Sequence, residues 1–488
     1  AEISIYRSLI DEKKQNAYIG TKDPQEKLGT VTSDKFRNGK AIIKCEGELN
    51  SGDNHLWLSV TPTKEASLSR FIELKVVGIK TPSEKKKVDA IAKQRIGIAL
   101  TYPKFETDIL EPETRKVLQT RTSNYSRIPG LARTKRGTLV AVYDNRYHHN
   151  GDLPADIDVG VSTSTDGGQT WSRHRTCLAA RDIPGIGNGV GDPAILVDEK
   201  TNRIWVTALA APKSGHPIWK SHIGTTSPDK CGQFILTYSD DEGKTWSKPI
   251  NITESVKRLN DSDTKKWGLV FTGPGNGICM TDGTIVFPAQ IWGHLGDGKT
   301  RWSCLVYSKD GGKTWTSSKA MDFGGSENQI AELSDGSIMN NTREGAGRRR
   351  QVGVTKDMGE TWERHDSVNN KNGGILDQPV CQGCLIAVNN KGRKKTVNLG
   401  KDKNGSKREH MLFFSNPDST WGRKNMTLKY STNDGDTWNN GLLYDERGCM
   451  GYSAIIPISK NYLGVFYEGQ HGYQYFIRLP FKEIFDAE

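Results

Sequence analysis

Short runs in which apolar and polar residues alternate dominate the chain, and that period belongs to strands with one buried face. "FILTYS" (234–239), "CLVYS" (304–308), "VGVT" (352–355) and "LKYS" (428–431) are such runs, and each leads directly into a cluster of Asp or Asn, Gly, Thr and Trp. Aligned on the tryptophan, the clusters read "STSTDGGQTW" (162–171), "SDDEGKTW" (239–246), "SKDGGKTW" (308–315), "TKDMGETW" (355–362) and "STNDGDTW" (431–438). The shared pattern is S-x-D-x-G-x-T-W, with Thr355 replacing the serine once and Asn433 the aspartate once. Extended segments such as "WSKPINIT" (246–253) follow, so each copy predicts the turn of a β-hairpin. In such a turn the aspartate accepts hydrogen bonds from backbone amides, the glycine allows positive φ, and the tryptophan packs on a neighbouring sheet.

The repeats begin at 164, 239, 308, 355 and 431, spacings of 75, 69, 47 and 76 residues. A four-stranded propeller blade takes roughly 40–50 residues, so the pattern predicts a β-propeller with loops inserted between strands. No stretch approaches the roughly 18 apolar residues of a membrane-spanning helix, so no membrane span is expected. Apolar content is 34% with 52 glycines, which again favours strands and tight turns over buried helices. The net charge of +11 admits anionic partners, but the basic clusters "EKKK" (84–87), "RRR" (348–350) and "KGRKK" (391–395) are dispersed and lack a recognition helix, so nucleic acid is not expected. "CQGC" (381–384) has no second pair at zinc-ribbon spacing, and ordinary core or loop cysteines are the expectation. No metal or organic cofactor is called for. The first residues, "AEISIYRSL", carry no methionine, basic region or apolar region, which suits either a mature protein whose export signal has been removed or a trimmed chain, and a secreted or periplasmic location is the expectation.

The repeat resembles the Asp box of sialidases, a structural device also found in non-catalytic propellers, and between the copies the resemblance becomes specific. "YSRIPGLARTKRGTLVAVYDNRYHHNGDLPADID" (125–158) has Arg-Ile-Pro at 127–129, then Arg146 and Asp152, and is similar to the active-site opening of bacterial exo-sialidases. The likeness runs in order over residues 105–488. "SENQIAELSDGSIMNNTRE" (326–344) implies Glu327 and the second triad arginine Arg343, "FSNPDSTWGRKNMTLKYS" (414–431) the third, Arg423, and "CMGYSAI" (449–455) the tyrosine Tyr452. "GVGDPAIL" (189–196) places Asp192 near the glycerol or 4-hydroxyl side of the sugar. The implied set is catalytic Asp152, Glu327 and Tyr452, with Arg127, Arg343, Arg423, Arg146 and Asp192 binding substrate.

Those residue types suit the chemistry. Sialic acid carries a carboxylate on its anomeric carbon, and guanidinium forks grip a carboxylate in a planar, two-pronged way that lysine does not reproduce. The same carboxylate repels an anionic nucleophile, whereas a neutral phenol activated by a neighbouring base avoids that repulsion. Tyr452 would attack, Glu327 would take its proton, and Asp152 would protonate the leaving oxygen and later activate water.

Residues 1–104 lack the repeat and read as a small all-β sandwich, resembling the domain that precedes the propeller in Bacteroidetes-type sialidases, carbohydrate-binding-like or docking. Expected overall is an all-β chain, that domain followed by a six-bladed β-propeller over 105–488, acting as an exo-α-sialidase on sialylated glycans of glycoproteins, mucins and glycolipids. A trans- or anhydro-sialidase of the same fold and a non-catalytic sialoglycan-binding propeller are the alternatives.

Overall fold

A computed structural model describes residues 1–8, 25–48, 56–63, 66, 70–215, 217–297, 299–345, 348–368, 376–392, 396–402 and 404–486. It divides into two compact units, Ala1–Ile96 and Gly97–Glu488. The first is all-β. Glu2–Ser8 pairs antiparallel with both Gln25–Thr32 and Leu56–Thr61, and Phe71–Lys80 forms a separate hairpin with Lys85–Arg95. Tyr6 stacks on Trp57 across the sheet, ring centroids 4.7 Å apart.

The second unit is a six-bladed β-propeller, one sheet per blade with four antiparallel strands at its heart. From the axis outward, blade one is Tyr125–Arg133, Leu139–Arg146, Ile157–Ser164 and Arg175–Leu178, extended by Phe105–Leu110 and Val117–Ser123. Blade two is Ile186–Val197, Ile204–Pro212, Gln233–Ser239 and Ile250–Asn251, and blade three is Leu269–Thr272, Ile285–Trp292, Arg301–Ser308 and Thr316–Ser317. Blade four is Asn328–Glu332, Ile338–Thr342, Gln351–Thr355 and Glu363–Arg364, and blade five is Cys384–Asn389, His410–Pro417, Met426–Ser431 and Leu442–Asp445.

Blade six is closed from far away in sequence. Ser453–Pro457, Tyr462–Glu468 and Gln474–Pro480 take Ile98–Thr101 as their outermost strand, so the ring is fastened by pairing its two ends. For that reason the division between the units falls after Ile96 and not at 104. Closure also explains why six blades carry five repeats. Each repeat is the turn from a third strand to a fourth, and in blade six no chain makes that turn.

The bonds among the first, third, fifth and seventh residues of the repeat recur in all five turns. In the third, Ser308 Oγ donates to Asp310 Oδ1 (2.7 Å), Gly312 N–H to Ser308 Oγ (2.8 Å), Thr314 N–H to Asp310 Oδ1 (2.9 Å) and Trp315 Nε1–H to Gly312 O (3.1 Å). Hydrogen bonds from Thr361 hold Asp357, in the fourth turn, down to about 2. In the fifth, Asn433 accepts from Thr437 N–H at 3.1 Å, so the amide oxygen substitutes for the carboxylate. Each turn leans on the preceding blade: Trp315 meets Trp205 edge-on, centroids 5.5 Å apart, and Trp171 meets Phe476 of blade six at 5.2 Å.

Middle strands are covered on both faces by adjacent blades, which is why "LVAVYDNR" (139–146) is buried at every position and loses the alternation of an edge strand. At the axis, amide side chains tie the inner strands together. Asn276 accepts from Leu131 N–H (3.0 Å) and donates to Ile455 O (3.0 Å), and Gln382 donates to Ser453 O (3.1 Å). All eight cysteines are free, Cys381 and Cys384 among the buried ones. Among the described residues no helix is long and apolar enough to cross a membrane.

Gly312 has φ 88°, and a Cβ there would lie 2.1 Å from Trp205 Cζ2, whereas Gly336 has φ 86° with nothing within 4 Å. Left-handed backbone costs an L-residue about 1–2 kcal/mol in either case. Gly312→Ala is therefore expected to lower the thermal midpoint several degrees further than Gly336→Ala. Equal shifts in the two variants would show that the turn does not bear on the neighbouring blade.

Candidate active site

Seven of the eight residues singled out from the sequence line one cavity of about 270 Å³: Arg127, Asp152, Asp192, Glu327, Arg343, Arg423 and Tyr452. The eighth, Arg146, stands behind it.

Local pairing brings the chemical groups together. Glu327 directly precedes the inner strand of blade four, and because Asn328 pairs with Thr342, Glu327 lies opposite Arg343, whose N–H donates to Glu327 O at 2.8 Å. The side chains meet as well, Arg343 Nη1 donating to Glu327 Oε2 (2.7 Å) and to the Tyr452 hydroxyl (2.9 Å). Tyr452 donates its own proton to Glu327 Oε1 in a short hydrogen bond. The phenol thus has its proton acceptor on one side and a cation on the other.

Arg127 is set by a bulge. The register between the first two strands of blade one slips between Gly130 and Arg127, Pro129 lacks an N–H, and Ile128 adopts φ 63°. Ile128 N–H consequently turns to Glu468 Oε1 (2.8 Å), which also accepts from Arg127 Nε (2.7 Å). The other oxygen, Oε2, accepts from Arg127 Nη2 (3.2 Å) and Tyr452 N–H (3.1 Å). Glu468, 1% exposed, therefore fixes one arm of the anion site and the backbone of the tyrosine together. Arg423 is held by carbonyls, Met450 O at 2.9 Å and Val380 O at 3.2 Å. Its guanidinium and that of Arg127 lie 5.6 Å and 5.2 Å from the Tyr452 ring centroid. The three forks converge on one phenol.

Asp152 sits on the connection between the second and third strands of blade one, its side chain 66% exposed at the mouth. Arg146 Nη1 reaches Asp152 Oδ1 at 2.9 Å and Asn150 O at 2.7 Å, while its other nitrogens hold Asp144 Oδ2 (2.9 and 3.2 Å). Asp144 Oδ1 in turn accepts from Asp192 N–H (2.9 Å). Arg146 orients the two aspartates without lining the cavity.

Burial and the neighbouring Glu327 push the Tyr452 hydroxyl well above its usual range, so the phenol keeps its proton. Burial also raises Asp192, with Asp144 and Asp152 adding to the effect. For Glu468 burial works the other way from Arg127, and Arg127 wins, so the carboxyl stays below its ordinary value. Among the described residues no cluster of His, Cys, Asp or Glu stands at metal-binding spacing.

Sequence reasoning did not anticipate Glu468 or Asp144. No motif marked them, although a buried carboxylate is what a buried arginine requires. The far wall is Trp219, Phe271, Gln290, Trp292 and Arg301, from blades two and three and the loops beside them. Trp219 and Trp292 pack at 4.8 Å, and the Arg301 guanidinium lies 4.0 Å from the Trp292 ring centroid. Trp302, by contrast, packs on His294 at 4.5 Å and takes no part in the lining.

Removing one partner of a buried pair costs about 3–5 kcal/mol, so Glu468→Gln is expected to lower stability by that order at about pH 7. Because the folded carboxyl titrates below its ordinary 4.5, its contribution is complete above that value and is lost as pH falls below it. Urea unfolding of both proteins should show the gap closing in acid. An equal gap in acid and at neutrality contradicts the Arg127 pairing.

Residues 128–461 match the BNR repeat-like domain family. A sialidase of Bacteroides fragilis is 35% identical over 96% of this chain and 82% of its own length. A sialidase of Clostridium perfringens is 31% identical over 75% of this chain and 92% of its own. Among solved structures, the Hadza microbial sialidase Hz136 superposes with a TM-score of 0.79 at 32% identity, covering 99% of this chain and 90% of the other. With the repeats, the propeller and a cavity gathering the expected arginines, carboxylates and tyrosine, the chain belongs to the sialidase family of glycoside hydrolases.

Proposed function

We propose that the protein is an exo-α-sialidase that releases terminal sialic acid from glycoproteins, mucins and glycolipids with retention, through a covalent intermediate on Tyr452. The observation that carries the reading is the Glu327–Tyr452–Arg343 cluster facing the same cavity as Arg127 and Arg423.

The sugar carboxylate is received by the forks of Arg127, Arg343 and Arg423, each charge-assisted hydrogen bond contributing about 1.5–3 kcal/mol before desolvation. This sets the anomeric carbon against the phenol. As the Tyr452 oxygen bonds to that carbon, its proton passes to Glu327 Oε1, while the bond to the glycosidic oxygen breaks and Asp152 delivers a proton to the departing group. Water then attacks the same carbon and gives a proton to Asp152. The tyrosine leaves and recovers its proton from Glu327. Two displacements return the original configuration.

A neutral nucleophile suits the site, since the burial and the Glu327 carboxylate that hold the proton on Tyr452 also keep a second negative charge away from the substrate's own. The exposed position of Asp152 gives water a path to the intermediate, which favours hydrolysis over transfer to another sugar or an anhydro product. The aromatic wall opposite the arginines would meet the end of the sugar remote from the carboxylate.

Proton NMR of a 3′-sialyllactose digest should show the α-anomer of free sialic acid first. Initial release of the β-anomer would exclude a covalent intermediate. Tyr452→Phe should lose roughly a thousandfold in kcat or more, since it removes the attacking atom. Asp152→Ala should lose about 10²–10⁴-fold on 3′-sialyllactose but far less on an aryl sialoside, whose phenolic leaving group needs little protonation. Equal losses on the two substrates would remove Asp152 from the role of acid.

A further inference from the structure

Behind the arginine forks lies a fourth guanidinium. Arg350, 1% exposed, directly precedes the third strand of blade four. Its Nε donates to Asn341 Oδ1 (2.6 Å), Nη1 to Cys381 O (2.7 Å) and Nη2 to Asn341 O (3.2 Å), and its guanidinium lies 5.6 Å from the Phe414 ring centroid. Every acceptor is neutral. Among the described residues no carboxylate lies within ion-pair distance of it, unlike Arg127 with Glu468 or Arg343 with Glu327. A buried cation is normally paired, because leaving water is costly for a lone charge.

Its surroundings belong to the active site. Cys381, whose carbonyl it holds, packs with Ile128 and Tyr452, and the adjoining Val380 carbonyl anchors Arg423. Cys381, Glu327, Arg343 and Tyr452 are among the titratable groups that act on it electrostatically. Burial lowers the guanidinium to about 9, which still leaves it charged at neutral pH.

We propose that Arg350 is a positioning residue of the sialidase site, an uncompensated cation that raises the affinity of the cavity for an anionic sugar without touching it. Around Tyr452 stand four guanidiniums, Arg127, Arg343, Arg350 and Arg423, and the carboxylates engaged with them are two, Glu468 and Glu327. The surplus favours an incoming carboxylate and any negative charge that grows on the Tyr452 oxygen. This deepens the functional reading above and rests on it.

Asn341 offers a test that leaves the packing alone. Its Oδ1 must face Arg350, which can only donate, and its Nδ2 has no hydrogen-bond partner. Asn341→Asp therefore loses no hydrogen bond, nearly preserves shape, and supplies the missing counter-charge. The probe is 2-deoxy-2,3-didehydro-N-acetylneuraminic acid, measured by calorimetry beside the thermal midpoint. We expect binding to weaken about tenfold or more, with the midpoint unchanged or raised. The loss should persist at high salt, since a buried charge is poorly screened. In a second pair, Arg350→Lys should stay within about threefold of wild type and Arg350→Met should fall about tenfold. Wild-type affinity in Asn341→Asp, or equal losses in the lysine and methionine variants, overturns the charge role while leaving the sialidase reading intact. A wild-type protein that does not bind the probe overturns both.

Discussion

Like charges have to be forced together before this cavity can hold a carboxylate. Three guanidiniums around one phenol repel each other, and each is pinned by something behind it: Arg127 by Glu468, Arg343 by Glu327, and Arg423 by the carbonyls of Met450 and Val380. None of the three can relax outward into water without abandoning its anchor. Because the pinning groups belong to the fold, Glu468 wholly buried and the others partly so, the arrangement is set before any sugar arrives, and ordering costs are met during folding and not during binding. Where the cations sit then decides where the anomeric carbon sits, and hence which oxygen can reach it.

The propeller is what makes such pinning possible. Arg127, Arg343, Arg423 and Tyr452 come from blades one, four, five and six, and no local segment could gather them. Radial closure aims the ends of separate inner strands at one volume, and the amide network of Asn276, Gln329 and Gln382 satisfies the backbone groups that those strands leave facing the axis. Blades two and three complete the cavity with the aromatic surface of Trp219, Phe271 and Trp292 beside the charged Asp192 and Arg301. One side of the site selects for an anion and the other for the body of a sugar.

Much of this was legible in the chain and some of it was not, for physical reasons. The five turns announce blades because the bonds among their serine or threonine, aspartate or asparagine, glycine and threonine are local, all inside an eight-residue window. Arg127, Glu327, Arg343, Arg423 and Tyr452 carry recognisable neighbours, so the resemblance located them and the structure gathers them in one cavity. Ile98–Thr101 was hidden, because four alternating residues look the same whether they belong to a preceding domain or to blade six. Glu468, Asp144 and Arg350 were hidden too. Glu468 acts on Arg127 from the other end of the propeller, and Asp144 and Arg350 act from behind the residues that line the cavity, so no motif in their immediate sequence marks them.

The account stands on an uncharged phenol attacking a carbon held by fixed cations, and trapping the attacked carbon tests it most directly. Fluorine beside the anomeric centre slows both displacements while a fluoride leaving group keeps the first one feasible, so a 2,3-difluoro sialic acid should accumulate as an adduct. Peptide mass spectrometry after brief incubation should place that adduct on Tyr452. An adduct on Glu327 or Asp152, or turnover inhibited with no covalent mass on the protein, would contradict it.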